Sequence, residues 1–342
     1  MNESTAVFCR RDALALAAGA VLALHATPAA ASKRPIFVLN SQDADVSIID
    51  PATHTVVQRI PTGKEPHHLY LTPDEKSVIV ANAASNSLTF IDPATGAVQR
   101  TVRDIVDPYH LRFSPDMQWF VTAANRLDHV DLYRWQPADA AQPLKLVKRI
   151  QAPKTPSHLS IDSKSSVVYV SLQDSDELLA IDLATQAPRW KVRVGRMPAD
   201  IFLTADDRTL LVALTGDKLV EAWDVSGSAT NTAPKLVKRV PTGDGAHAFR
   251  ARGDRRHVFL SNRVANTISL IDMQTLSVVA EYKAPGGPDC MEVTADGKTL
   301  LVTSRWARKL TYIDIDSRQI VRQVAVGRSP HGVWTLDHAP RQ

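Results

Sequence analysis

Six of the ten histidines downstream of residue 31 fall in two adjacent columns of an internal repeat. One column holds His68, His110, His158, Asp200, Ala248, Cys290 and Gly332, at steps of 42, 48, 42, 48, 42 and 42 residues. Three imidazoles from consecutive repeats, a carboxylate beside them and a thiol two repeats further on form a donor set for copper, iron or zinc. Nitrogen and sulfur donors suit those ions and not calcium or magnesium. The neighbouring column holds His67, Tyr109, Ser157, Ala199, His247, Asp289 and His331. Its histidines come from scattered repeats, as groups that support metal ligands or touch a bound small molecule do. Side chains alternate along a strand, so His67 and His68 are expected to point apart, with only one column facing a common axis.

Two further features bear on chemistry. Arg126, Arg263, Arg305 and Trp306, with Arg308 and Lys309, occupy equivalent loops and give a positive rim suited to an anionic ligand, or to a nucleic-acid strand stacked on Trp306. Cys290 follows Asp289 and is placed to face His247 or His331, which reads either as an activated thiolate or as a small buried side chain. The plain structural alternative for both columns is that polar residues at strand starts tie down loop carbonyls and line a wet channel. No Cys-x-x-Cys-His site for covalent c-type haem, no His-Glu-x-x-His and no Gly-x-Ser-x-Gly occurs. Gly297-Lys298-Thr299 imitates the end of a phosphate loop, but Glu292 stands where its first glycine would be.

The elements that position these residues recur with them. Pro66-His67-His68-Leu69, Pro108-Tyr109-His110-Leu111 and Pro156-Ser157-His158-Leu159 begin short apolar runs. Each is followed by a Pro/Asp/Gly turn, a second run such as Val78 to Asn82, and a third ending in aspartate. Asp50, Asp92, Asp182, Asp224, Asp272 and Asp314 recur there, because an aspartate can accept from the backbone two residues on and fix the turn; Arg134 breaks the series. A fourth run leads to the next repeat. Four short strands per unit, in seven units, predict an all-β fold: a seven-bladed β-propeller of four-stranded blades. Because the chain begins at a second strand (Ile36 to Ser41) and finishes with a first (His331 to Leu336), the N- and C-terminal strands are expected to share one closing blade.

Val80-Ala81-Asn82 and Ser85-Asn86-Ser87-Leu88-Thr89-Phe90-Ile91-Asp92-Pro93-Ala94-Thr95-Gly96 resemble the YVTN-type repeat of bacterial seven-bladed propellers, including the YncE-like periplasmic proteins. The second and sixth units fit best, while Arg126 to Arg134 and Thr215 to Asp224 depart from the pattern. The resemblance implies a fold more than a chemistry, since this architecture hosts lactonases, haem- or copper-containing reductases, quinoprotein-like subunits and plain binding proteins.

Hydrophobic residues make up 44% and charged residues 22% of the chain, which excludes wholesale disorder. A net charge of +4 is too small to point to nucleic acid as the main partner. Residues 1–31 read as a cleaved export signal: Arg10-Arg11, an Ala/Leu run from Ala13 to Ala26 too short to anchor in a bilayer, then Ala29 and Ala31 suited to a signal peptidase. The arginine pair resembles a twin-arginine signal, with Asp12-Ala13-Leu14 in place of the usual aromatic. Residues 32–342 then form a single propeller domain in the periplasm, without a membrane span and, with Cys290 as the only remaining cysteine, without an internal disulfide. The expected function is a periplasmic binding or interaction protein that takes a small-molecule or anionic ligand, a transition metal, or a periplasmic protein partner. The alternative is a metal-dependent enzyme, an oxidoreductase or lactonase-like hydrolase, using the same mouth.

Overall fold

The apolar runs of five to eight residues form strands, and the strands assemble into seven antiparallel four-stranded sheets. The computed structural model describes residues 34–228 and 232–341; the expected export signal lies outside the described residues. Two single-turn helices, Ala83–Ser85 and Gln173–Ser175, follow second strands, and no helix among the described residues is long and apolar enough to cross a membrane.

Each sheet is one blade, and no blade buries its faces alone. The seven hydrophobic clusters each join neighbouring blades: Val121 and Val130 pack with Leu159 and Val170, and Ile36 and Val38 pack with Leu301 and Leu310. Burial is thus shared around a ring, which is why the repeat needs all its copies. The ring closes as expected, with Ile36–Asn40 pairing antiparallel to Pro330–Thr335 through Ile36 opposite Thr335, Phe37 opposite Trp334 and Val38 opposite Val333. The outermost strands, such as Leu144–Gln151 and Lys235–Pro241, are largely exposed, so their lysines and arginines form a solvated wall.

The turn aspartates do what their chemistry predicts. Asp92 Oδ1 accepts from Ala94 N at 2.9 Å and Thr95 N at 2.8 Å, and Asp272 and Asp314 make the same turn. In the third blade Arg134 instead lies over the Trp119 ring, 3.7 Å from its centroid.

The innermost strands are Pro66–Leu71, Pro108–Phe113, Pro156–Ile161, Pro198–Leu203, Ala246–Ala251, Pro288–Val293 and Pro330–Thr335. The residue before each has a left-handed backbone, from Asp107 at φ 43° to Gly245 at φ 76°, and only two of the seven are glycine. A left-handed L-residue costs about 1–2 kcal/mol, so something must hold it. In six blades its carbonyl accepts a backbone hydrogen bond from the loop after the second strand, as in Ala83 N to Glu65 O at 3.1 Å and Arg305 N to Gly287 O at 2.9 Å. The third blade substitutes the Asp107 carboxylate, which accepts from Arg126 N at 2.6 Å. Both sets of loops therefore meet on one face of the ring, termed the upper face below.

Candidate functional site

Just inside the upper face, every inner strand slips its register against the second strand: between Pro66 and Leu69, between Pro156 and Leu159, and at the matching place in the other blades. Such a bulge breaks the simple alternation of side chains. The expectation that only one column faces the axis is thereby corrected, since both do. The His67 ring lies 3.7 Å from that of His331 and 3.9 Å from that of Tyr109, centroid to centroid. His68 lies 4.4 Å from His110 and 5.1 Å from His158, and those two lie 4.8 Å apart.

The His67 column forms a buried polar plug. Asp289, with 0% exposure, is gripped by Arg263, whose Nη2 is 2.6 and 2.7 Å from its two oxygens, and by Arg305 Nη1 at 3.0 Å. His247 Nε2 and His331 Nε2 lie 3.3 and 3.6 Å from Asp289 Oδ1. Burial pushes the Asp289 carboxyl up, but the Arg263 guanidinium, the largest opposing cause, outweighs it and holds the group well below the usual carboxylate range. His331 Nδ1 lies 2.8 Å from the His67 carbonyl, so it carries the proton and donates; its Nε2 then presents a lone pair. Burial, the leading cause, holds His67 and His331 well below 6.5 and His247 at about 4. Burial also pushes the Tyr109 hydroxyl up to about 12.

The expected positive rim is largely spent on carboxylates. Arg263 and Arg305 turn in to Asp289, whereas Arg126 pairs with Glu65 and, at 2.7 Å, with Asp107, away from that cluster. Trp306 remains 59% exposed over Gly287, where a Cβ would sit 2.5 Å from its ring.

One layer deeper, His68, His110 and His158 offer one nitrogen each within 4.8 Å of one another. All three are held well below 6.5, chiefly by burial, and are therefore neutral and free of mutual repulsion. His68 Nε2 is buried with no hydrogen-bond partner among the described residues. His158 Nδ1 is 2.9 Å from Ser157 Oγ; donating there leaves its Nε2 as a ready ligand. His110 fits less well, because its Nδ1 already accepts from Leu159 N at 3.3 Å. Zinc and copper bind imidazole at about 2.0–2.1 Å, so the trio must draw together slightly around an ion.

Asp200 and Cys290 line the same cavity of about 150 Å³ but stand outside this trio. The Asp200 oxygens each accept a backbone N–H at 2.8 Å, from Ile201 and Phe249, and burial raises its carboxyl to about 6. Cys290 Sγ is 3.5 Å from His331 Nδ1, yet burial, followed by the Asp289 charge, pushes the thiol well above its usual value. That direction favours the small buried side chain over the activated thiolate.

The other walls of that cavity were not among the expected residues. Arg112, Phe202, Arg250, Glu292 and Arg341 bound it, and all but Arg341 lie two or more residues further along the inner strands, so it faces away from the upper loops. Reading each inner strand two residues past the His68 column, through Tyr70, Arg112, Ser160, Phe202, Arg250, Glu292 and Trp334, is the signal that finds them.

Comparison with known proteins agrees with this architecture. An uncharacterized protein, YncE of Salmonella typhi, is 26% identical over 153 residues, which are 44% of this chain and 42% of that protein, so the match spans less than half of the relative's length. Among solved structures, a functionally unknown protein from Desulfotomaculum acetoxidans superposes with a TM-score of 0.76 at 15% identity, covering 89% of this chain and 99% of that one. The periplasmic gluconolactonase PpgL of Pseudomonas aeruginosa gives 0.74 at 18% identity, covering 90% and 99%. At such identities these likenesses speak for the fold alone. The match to the YncE-like beta-propeller family runs over residues 4–341, nearly the whole chain, and the protein therefore belongs to the YncE-like β-propeller family.

Proposed function

We propose that this chain is a periplasmic ligand-binding propeller that holds a transition-metal ion, copper, iron or zinc, on His68, His110 and His158. The observation that carries the reading is the buried, unpartnered Nε2 of His68 set against two further neutral imidazoles from the next two blades. A buried polar atom without a partner costs about 1–3 kcal/mol, and a bound ion would remove that cost. Ser157 orients His158 for the ion, and Asp200 and Cys290 flank it within the cavity. When bound, such an ion supplies Lewis acidity or a redox centre. Asp200 favours the second reading, a metal-dependent oxidoreductase or lactonase-like hydrolase at the same cavity, because a carboxyl raised to about 6 suits general acid–base work near neutral pH.

Zinc(II) and copper(II) titrations of the metal-stripped protein are the test. Near-stoichiometric binding is expected at neutral pH, weakened at least about a hundredfold in His68→Ala. Absence of stoichiometric binding, or an unchanged affinity in His68→Ala, rejects the site. Export is tested separately by replacing Arg10 and Arg11 with lysine, which is expected to leave the protein in the cytoplasm by fractionation. Undiminished delivery to the periplasm would reject the twin-arginine route.

A further inference from the structure

At the face opposite the upper loops lies a second, larger cavity of about 520 Å³, walled by Tyr70, Arg112, Phe113, Met117, Phe202 and Arg341 among others. That volume lies within the range of about 300–1,000 Å³ of small-molecule sites. Its lining combines aromatic rings with one cation whose situation differs from that of the other channel arginines. Arg250 is 2.5 Å from Glu292, and Arg263 and Arg305 bind Asp289. Arg112 has no carboxylate within 4.0 Å among the described residues; its guanidinium donates to the Leu111 carbonyl at 3.3 Å and stands 5.4 Å from the Tyr70 ring. Most of its five N–H donors are left for a ligand.

The surroundings add to the positive field. Arg250 and Arg341 share the single carboxylate of Glu292, and Arg250 also donates to the Ala339 carbonyl at 2.7 Å and the Pro340 carbonyl at 3.0 Å. The C-terminal stretch is thereby fastened as one wall of the cavity. Arg112 and Arg341 line this cavity and also the chamber of His68, His110 and His158, so they stand at the junction of the two.

We propose that this lower cavity binds a small organic anion with a flat apolar body, its carboxylate or phosphate on Arg112 and its body against Tyr70, Phe113 and Phe202. A planar guanidinium matches either oxyanion in a two-pronged contact, and a partly desolvated charged hydrogen bond is stronger than a neutral one. The site rests on the cavity and on Arg112, and needs no metal. It also moves the contact for an anion from the upper rim, where the arginines of the axial plug are neutralised, to the opposite end of the channel.

The test uses 1-naphthoate, 1-naphthyl phosphate and the neutral 1-naphthalenemethanol as fluorescent probes of the mature protein. At least one anion is expected to bind saturably, and the alcohol at least about tenfold more weakly. Arg112→Met is expected to weaken the anion about ten- to a hundredfold and leave the alcohol unchanged, with Arg112→Lys recovering part of the loss. Whichever anion binds more tightly identifies the headgroup. An unchanged thermal midpoint in both variants confirms that they fold. No saturable binding of either anion, or equal binding to wild type and Arg112→Met, overturns the proposal. Zinc(II) and copper(II) titration of the same samples separates the two sites: metal bound with neither anion rejects this site alone, and either anion bound without zinc or copper rejects the metal site alone.

Discussion

Lowering the pH from about 7 to about 5 is expected to remove most of the stability of this propeller, along a far steeper course than its surface carboxylates would give. His67, His110, His158, His247 and His331 are buried and neutral, each held below its ordinary value of 6.5 first by burial. In the unfolded chain they titrate near 6.5. Their contribution is therefore complete above that pH and is lost as the pH falls, because the unfolded state takes up protons that the folded state refuses. Each group costs about 1.4 kcal/mol per pH unit in that window. Asp200, raised to about 6, and Asp107, raised by burial, run the other way and each offset up to one proton. His68 is partly open to its cavity and adds less. Some three to four protons remain, about 4–6 kcal/mol per pH unit, against a total stability on the order of 5–15 kcal/mol. Urea midpoints followed by tryptophan fluorescence across that range measure it. The His67→Leu variant is expected to shed about one proton of the slope. A wild-type slope below about one proton would mean that these rings are solvated or charged in the folded protein.

The histidine columns show where a sequence pattern informs and where it stops. Their spacing is set by the repeat, and a repeat reports fold strongly because each unit must offer the same turn aspartate, the same left-handed residue and the same apolar runs to its neighbours. The convergence of His68, His110 and His158 follows from the ring and was legible beforehand. The direction of His67 was not, because strict alternation assumes an unbroken ladder, and the proline that begins six of the seven inner strands, where the slip occurs, reads equally as a plain strand start. Nor does sequence distinguish the arginines. Arg126, Arg263 and Arg305 occupy equivalent loops, yet two converge on Asp289 and one on Asp107, since the pairing depends on which blades carry the carboxylates. Arg112 reads as one more strand cation until the channel around it shows that, among the described residues, no carboxylate comes within 4.0 Å of it. For Cys290 the deciding quantity is burial, which raises the thiol even with His331 beside it.

Asp289→Asn tests whether the upper plug is a structural charge lock. The change keeps shape and removes the charge shared by Arg263 and Arg305, leaving two guanidinium groups facing each other across a buried amide. Breaking a buried ion pair from one side costs about 3–5 kcal/mol. Arg263 and Arg305 keep 20% and 26% of their side chains exposed, so partial hydration places the expected loss near the lower end, about 3 kcal/mol. For a domain of roughly 300 residues that is a fall of about 5 °C in thermal midpoint. Adding Arg263→Gln to Asp289→Asn is expected to restore part of the loss, with a coupling of about 1–3 kcal/mol in the double-mutant cycle, because the second change removes a cation that the first left uncompensated. The His68, His110 and His158 trio lies one layer below, so zinc affinity measured well below the new midpoint is expected to stay within about threefold of wild type. If Asp289→Asn is stable but zinc binding is lost, the two layers form one site and the carboxylate belongs to the ligand set rather than to the plug.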